Sequence, residues 1–484
     1  MTLTDEARRR RHRNERILAG ILVLAVAVVV FVIVRFNKRE ERDILDQMYV
    51  PRQTTITPEV ELLQQYIRID TSNPPGNELP AAQWLAALLS RNGVHAEIIQ
   101  SAPRRASVYA RIKGRQPDQG LLLVHHIDVV PATARGWTRP PFSGAIHLNQ
   151  LYGRGALDTK GLGVCELAAF IAVAKAGRQP ERDIVFLAVA DEETGSEYGM
   201  RWLLEHRPDV IDGVEYAINE GGITEMMQER VTYYGIEIGT KQTVSVTLRA
   251  PTREQLLNAR IALEPWFIRR EPDRVLPEVR RLFRDIAPQR IEFRDELVDI
   301  DRTIAEGRFW TLPAGYREVT QNSVWAEKVS QSAGGFEMPV LLLNLPDEHP
   351  EPRIQWLKDR VAPFGTSIEV IEKFGPVPSS SPDTPFFALL TREGRATFQA
   401  PTGTEFLGRS VSDSRFLRVK GIQAYGISAF PVDFFQSQSI NGINERVRVD
   451  YFQEGVTFLK RVVMAHAFSG VTQSVKQMPQ KPSV

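Results

Sequence analysis

Cysteine is almost absent from this chain: 484 residues contain one, Cys165. No disulfide can close within it, and multi-cysteine zinc or iron–sulfur sites are excluded. Any metal must be held by His, Asp and Glu. An excess of charge is also missing, since 60 Lys and Arg face 59 Asp and Glu for a formal net charge of +1. That excludes a nucleic-acid binder held by bulk positive charge. With 43% hydrophobic and 25% charged residues, composition is globular rather than collagen-like or disordered. The length suggests about two to four folded units.

One long apolar run is present, residues 17–34 (ILAGILVLAVAVVVFVIV). As a helix it would span about 27 Å, close to the hydrocarbon core of a bilayer. Six arginines precede it (Arg8, Arg9, Arg10, Arg11, Arg13, Arg16), whereas the basic residues after it are diluted by Glu40, Glu41, Asp43 and Asp46. The positive-inside bias predicts a cytoplasmic tail (1–16), a single-pass anchor (17–34) and an extracytoplasmic, periplasmic or luminal, catalytic body. The following VIVRFNKRE lacks the small residues of a signal-peptide cleavage site.

Residues 35–60 read as a linker. From 61 to 242 short apolar runs (107–112, 120–124, 184–190, 216–219) alternate with helical patterns (81–92, 161–176, 197–206), and a further strand-like run follows at 243–248. The alternation predicts an α/β catalytic domain layered on a central mixed sheet. Residues 243–374 predict an inserted smaller α/β lid, arginine-rich between 250 and 320, with strands at 339–343 and 367–371. The first unit resumes over 375–470, with a helix at 384–391, a strand at 422–427 and a closing helix at 450–468. Residues 471–484 read as a flexible tail.

Several apolar strands run directly into acids or histidine. Leu-Leu-Leu-Val leads to His125, His126 and Asp128; a strand-end histidine with an acid two residues on suits metal binding, the acid orienting the ring. Alternation points His125 to the opposite face, as a packed residue. A glycine-rich turn ends at Asp158 before a helix, where it also reads as an N-cap. IVFLAVA runs into Asp191, Glu192 and Glu193, three consecutive acids that repel one another unless a cation or shared protons stabilise them. Tyr216–Asn219 is followed by Glu220. Ligands bind beyond the carboxyl ends of such strands, and one His among carboxylates suits Zn²⁺ with an acid left over to carry a proton. Cys165 falls in the apolar helix after Asp158 and reads as core.

These stretches, with DTSNPPGNE at 70–78, GRGALDTKG at 153–161, ADEETGSEYG at 190–199, SDSR at 412–415 and GINERV at 442–447, resemble the zinc-dependent aminoacylase, carboxypeptidase S and glutamate carboxypeptidase metallopeptidases. The amino-terminal anchor is similar to the carboxypeptidase S branch. The resemblance implies a two-zinc site in which His126, Asp158 and Glu220 hold the first metal. Asp158 bridges to a second, which Glu193 also binds. Glu192 is then the general base and Asp128 orients His126. The implied substrate is a small peptide or N-acyl amino acid, and pairing of two chains through the lid is a family habit.

Three positions depart from that pattern. The family's last ligand is a histidine where this chain has Asn441, a neutral and poorer zinc donor, so the second metal is expected to bind weakly. The family's lid histidine has no counterpart in 248–253, and its carboxylate-gripping arginine falls at Asn344. Arg415 and Arg418 are the remaining candidates for a substrate carboxylate. The expected function is a membrane-anchored zinc hydrolase of small amides. The competing expectation is a catalytically degenerate, membrane-tethered binding or scaffold protein.

Overall fold

Strands covered by helices on both sides become apolar on both faces, and Leu121, Leu122, Leu123 and Val124 are all fully buried. In the computed structural model, which describes residues 55–227, 229–264 and 272–469, they sit in the middle of a nine-stranded sheet. Its first strands in the chain are β1 (Ala96–Ala102), β2 (Arg105–Ile112), β3 (Gln116–His126), β4 (Arg182–Val189), β5 (Val214–Glu220), β6 (Ile223–Met227) and β7 (Arg230–Thr240). A smaller sheet follows with β8 (Gln242–Ala250), β9 (Ser323–Ala326), β10 (Gly335–Asn344) and β11 (Ser367–Lys373). The chain then returns through β12 (Thr402–Leu407) and β13 (Gln423–Ile427).

The large sheet has the order β1-β2-β4-β3-β5-β13-β7-β12, with β6 on β7. β3 runs parallel to β4 and β5, and β13 parallel to β5, while β2 joins β4 antiparallel. The sheet is therefore mixed, as the sequence predicts.

Alternation sorts its side chains into two cores. Leu121, Leu123, Ile184, Phe186 and Ile218 pack under α1 (Pro58–Arg68), α2 (Leu79–Arg91) and α3 (Lys160–Ala174). Leu122, Val124, Val185, Leu187 and Ala217 face α4 (Met200–His206). α3 is buried nearly all round and includes the free Cys165.

In the small sheet, β8 is central and pairs antiparallel with β10 and β11. One face, with Val244, Val246, Leu248, Val340 and Leu342, packs against α5 (Arg253–Leu263) and its neighbours. Thr252 starts α5 with a reciprocal capping box to Gln255. The intervening arginine-rich stretch behaves differently from a lid element. Its helix α6 (Pro277–Ile286) places Val279, Leu282 and Phe283 against Tyr233 and Phe406 of the large sheet. Asp285 accepts hydrogen bonds from the Thr404 backbone N–H and hydroxyl at 2.9 Å each. Charged sequence on its outer face concealed the apolar stripe that docks it to β12.

Further along come α7 (Pro350–Val361) in the lid, α8 (Pro385–Phe398), α9 (Ser414–Val419) and α10 (Val449–Phe468). The residues 17–34 lie outside the described residues. Among the described residues no helix is long and apolar enough to cross a membrane.

Arg418, expected as a substrate contact, is instead a fastener between α9 and the sheet. Its guanidinium lies 2.8 Å from the Glu237 carboxylate, both side chains being buried, and donates to the Ala424 carbonyl. Gly426 accommodates this pair, because a Cβ there would lie 2.5 Å from Glu237 Oε2. Removing one partner of such a buried pair leaves an uncompensated charge. Arg418→Met is expected to destabilise the fold by about 3–5 kcal/mol, measured by urea denaturation.

Candidate metal centre

Four chain segments end at one place beyond the carboxyl ends of β3, β4 and β5. β3 delivers His126, the turn after β4 delivers Glu192 and Glu193, β5 ends in Glu220, and Asp158 precedes α3. Ligand atoms of His126, Asp158 and Glu220 all lie within 4.8 Å of one another. His126 Nε2 is 2.9 Å from Asp158 Oδ1 and 3.7 Å from Glu220 Oε1. Asp158 makes no cap on α3; its other oxygen accepts a 2.8 Å hydrogen bond from Asn441 Nδ2. Asn441 thus turns its nitrogen, not its oxygen, to the acid it was expected to assist.

The electrostatics are those of crowded like charges. Burial, with the Asp158 charge adding to it, pushes the Glu193 carboxyl up to about 8. Burial and neighbouring carboxylates also raise Glu192 and Glu220 well above the usual range. Burial acts to lower His126, but the Glu220 charge and bonds to Asp128 and Asp158 outweigh it and raise the ring well above its ordinary value. Glu193 Oε1 is buried without a hydrogen-bond partner, a cost that a cation would remove. One imidazole and several converging carboxylates, one with an orphaned oxygen, fit a divalent metal.

Around these side chains lies a second layer of polar contacts. His126 Nδ1 donates to the backbone carbonyl of Asp128 at 2.8 Å, whereas the Asp128 carboxylate is 3.6 Å away. Asp128 therefore orients the ring chiefly through its main chain, which corrects the expected carboxylate contact. The carboxylate instead accepts from the backbone N–H groups of Glu192 and Glu193 at 3.1 and 3.2 Å and from Asn73 Nδ2 at 2.8 Å. The preceding Asp191, at φ +68°, receives Arg105 Nη2 at 2.6 Å, and Arg105 also pairs with buried Glu78 at 2.9 Å. Glu445 accepts from the backbone N–H groups of Gly155, Leu157 and Asp158 and pairs with Arg154. It thereby fixes the glycine-rich turn that carries Asp158.

Sequence reasoning gave none of Asn73, Asp191, Glu445 or Asp413 a role, although their motifs were visible. Asp413 is buried, bonded to Ser196 Oγ at 2.5 Å, and has an unpartnered Oδ2. His125 points away from the centre, as alternation requires. It packs between Tyr66 and Glu166, and burial lowers its pKa to about 3.

A cavity of about 1000 Å³ opens beside the centre, with Glu192 and Glu193 on one wall and Thr243, Leu341 and Glu372 of the lid on the other. Arg415 lines it, packed beside the touching rings of Phe374 and Phe416 and 3.3 Å from Glu372 Oε1. Its Nε has no partner. Arg418 does not reach this cavity. Asn344 is buried and accepts from Arg353 Nε at 3.2 Å, so it faces the lid interior.

Known proteins share the fold and parts of the sequence. A probable succinyl-diaminopimelate desuccinylase of Staphylococcus aureus is 32% identical over 139 residues, covering 28% of this chain and 34% of that protein. Aminoacylase-1 of Sus scrofa is 29% identical over 166 residues, 34% of this chain and 41% of its own length. These alignments thus span well under half of either relative. Over the whole fold, an M20 family metallo-carboxypeptidase from Sulfolobus solfataricus superposes with a TM-score of 0.66 at 16% identity, covering 85% of this chain and all of that one. Human carnosine dipeptidase 1 gives 0.64 at 15% identity, covering 84% and 96%. The model of peptidase family M20/M25/M40 matches residues 122–465, which include every proposed ligand, and the chain belongs to that family.

Proposed function

We propose that this protein is a zinc-dependent hydrolase of amide bonds in small peptides or N-acyl amino acids, anchored to a membrane by residues 17–34. The observation that carries the reading is the convergence of His126, Asp158 and Glu220 within mutual ligand distance, beside an acid that no structural role occupies. M20 peptidases are metal-dependent, and this triad suits the first metal, with Asp158, Glu193 and Asn441 at the second. Zinc supplies Lewis acidity to the scissile carbonyl and to the attacking water.

The chain's own groups do the rest. Glu192 takes the proton from the attacking water and returns it to the leaving nitrogen as the C–N bond breaks, giving a carboxylic acid and an amine. Asp128 positions Glu192 through its backbone N–H. Arg415, at the cavity wall, holds a substrate carboxylate against the lid.

A second reading, a non-catalytic tethered binding protein, is favoured by the Asn441 amide nitrogen on Asp158 and by the burial of Asn344 where the family's arginine is expected. Glu192→Gln decides between them. As an enzyme the variant is expected to lose about 10²–10⁴-fold in kcat with zinc content unchanged. A wild-type chain with zinc but no turnover on acyl amino acids or dipeptides supports the binding role. Asn441→His is expected to raise zinc from about one toward two per chain, read by elemental analysis.

Zinc should also invert the pH dependence of stability. In the metal-free protein Glu193 releases its proton at about 8 instead of 4.5, and Glu192 and Glu220 shift the same way. The folded chain then binds more protons than the unfolded one across that window, so its stability falls as pH rises from about 5 to about 8. Zinc displaces those protons, and the gain in Tm on adding zinc to chelator-treated protein is expected to grow with pH. A gain that shrinks as pH rises contradicts this.

A further inference from the structure

An apolar strip lies on the side of the molecule where the amino-terminal chain joins the body. Phe434, Phe435, Ile440 and Ile443 fall within ten residues and each keeps between 42% and 70% of its surface exposed. The two phenylalanine rings meet edge to face, with centroids 5.8 Å apart, and stay on the surface. Met227 is 69% exposed and Ile56 45%. Singly exposed apolar residues are ordinary, but four within one ten-residue segment, two of them aromatic rings in contact, mark an interaction surface.

Hydrogen bonds trace how these residues adjoin. Gln453 Nε2, in the second turn of α10, donates to the Thr55 carbonyl at 2.6 Å, beside Ile56. One half-turn earlier, Tyr451 Oη donates to the carbonyl of Glu229, in the β6–β7 turn next to Met227. From the same strand β6, Thr224 Oγ1 donates to the Val432 carbonyl and accepts from the Val432 N–H. Asp433 then caps the short helix Phe434–Ser437. At the far end, Asn441 lies between Ile440 and Ile443 and bonds to Asp158. The segment 434–443 thus reaches the metal centre through Asn441 and leads into the start of α10, the helix to which Thr55 is bonded.

We propose that this strip is a docking face for the lipid surface in which residues 17–34 are anchored. The proposal rests on the anchor reading given above. Residues 35–54 separate the apolar run from Thr55, a span of at most roughly 70 Å when extended and on the order of 25 Å as a flexible chain. A body held that close meets the bilayer at high effective concentration, so a weak apolar contact suffices. Aromatic and aliphatic side chains at a membrane–water boundary bury their apolar atoms at the headgroup level. Docking by this face turns the Asn441 side of the metal centre toward the lipid.

The test uses the full chain reconstituted in phosphatidylcholine vesicles. Phe435→Cys provides a labelling site for an environment-sensitive dye, the native Cys165 being fully buried. Ile261→Cys, on the exposed side of α5 in the lid, is the control. The readout is quenching by phospholipid carrying a nitroxide near its headgroup, with vesicle flotation run on the same samples. The expected result is loss of most dye fluorescence at position 435 and little at 261. Flotation without quenching at 435, or equal quenching at both positions, overturns the docking face and leaves the anchor standing. Failure to float overturns the anchor reading and this proposal with it. Quenching between labelled chains, independent of nitroxide lipid, assigns the strip to a second copy and also overturns it.

Discussion

The arrangement depends on mutual repulsion among carboxylates held where solvent cannot dissipate it. Asp158, Glu192, Glu193 and Glu220 meet beyond the ends of three parallel strands, and the raised proton affinities of the three glutamates record the strain of that assembly. Asp158 alone is lowered, because bonds to His126 and Asn441 overcome the effect of burial. Such a cluster is tolerable in three ways: by retaining protons, by pairing with histidine, or by taking a cation. The imidazole of His126 supplies only the second, and one ring cannot balance four acids. The family to which the chain belongs uses the third.

Holding the acids in place against that repulsion falls to the surrounding network. Asp128, itself buried, pins the backbone of Glu192 and Glu193 and receives Asn73. Glu445 gathers three backbone N–H groups of the 153–161 turn, so the position of Asp158 is fixed from a segment nearly 300 residues away. Arg105 bridges Glu78 and Asp191, giving the acidic turn one fully desolvated positive neighbour. The contacts of Asp128 and Glu445 are buried hydrogen bonds to backbone N–H groups, which rigidify the turns that carry the acids.

Much of this was legible in the sequence, and the reason is local. An apolar strand running into His126 or into Asp191-Glu192-Glu193 is a short-range pattern, and the sheet places such strand ends together without further information. The opposite facing of His125 followed from a period of two. What could not be read was anything set by distant pairing. β7 and β12 lie side by side although more than 160 residues separate them, and the stripe of α6 that docks beside them is outnumbered by its arginines. Arg418 looked available because its partner, Glu237, sits on β7, a strand the pattern did not announce. The contact that Asp128 makes was legible only in part: residue spacing shows that a group can reach His126, but not whether its carbonyl or its carboxylate lies nearer.

Asn441 joins these themes. Where the family pattern implies an imidazole ligand, the chain places an uncharged amide whose nitrogen donates to Asp158, while the backbone carbonyl of the same residue accepts from Arg154. Arg154 is also the partner of Glu445, so residue 441 is fixed to the same turn that presents Asp158. A donor at this point stabilises the negative charge of Asp158 without adding a formal positive one. With a single dication bound, the four acids would still carry excess negative charge. Glu192 must lose its proton to act as a base, and it does so more readily the more positive charge the centre holds. Replacing imidazole by amide at position 441 therefore bears on the proton affinity of Glu192 through metal occupancy, even though the two side chains belong to opposite ends of the catalytic unit.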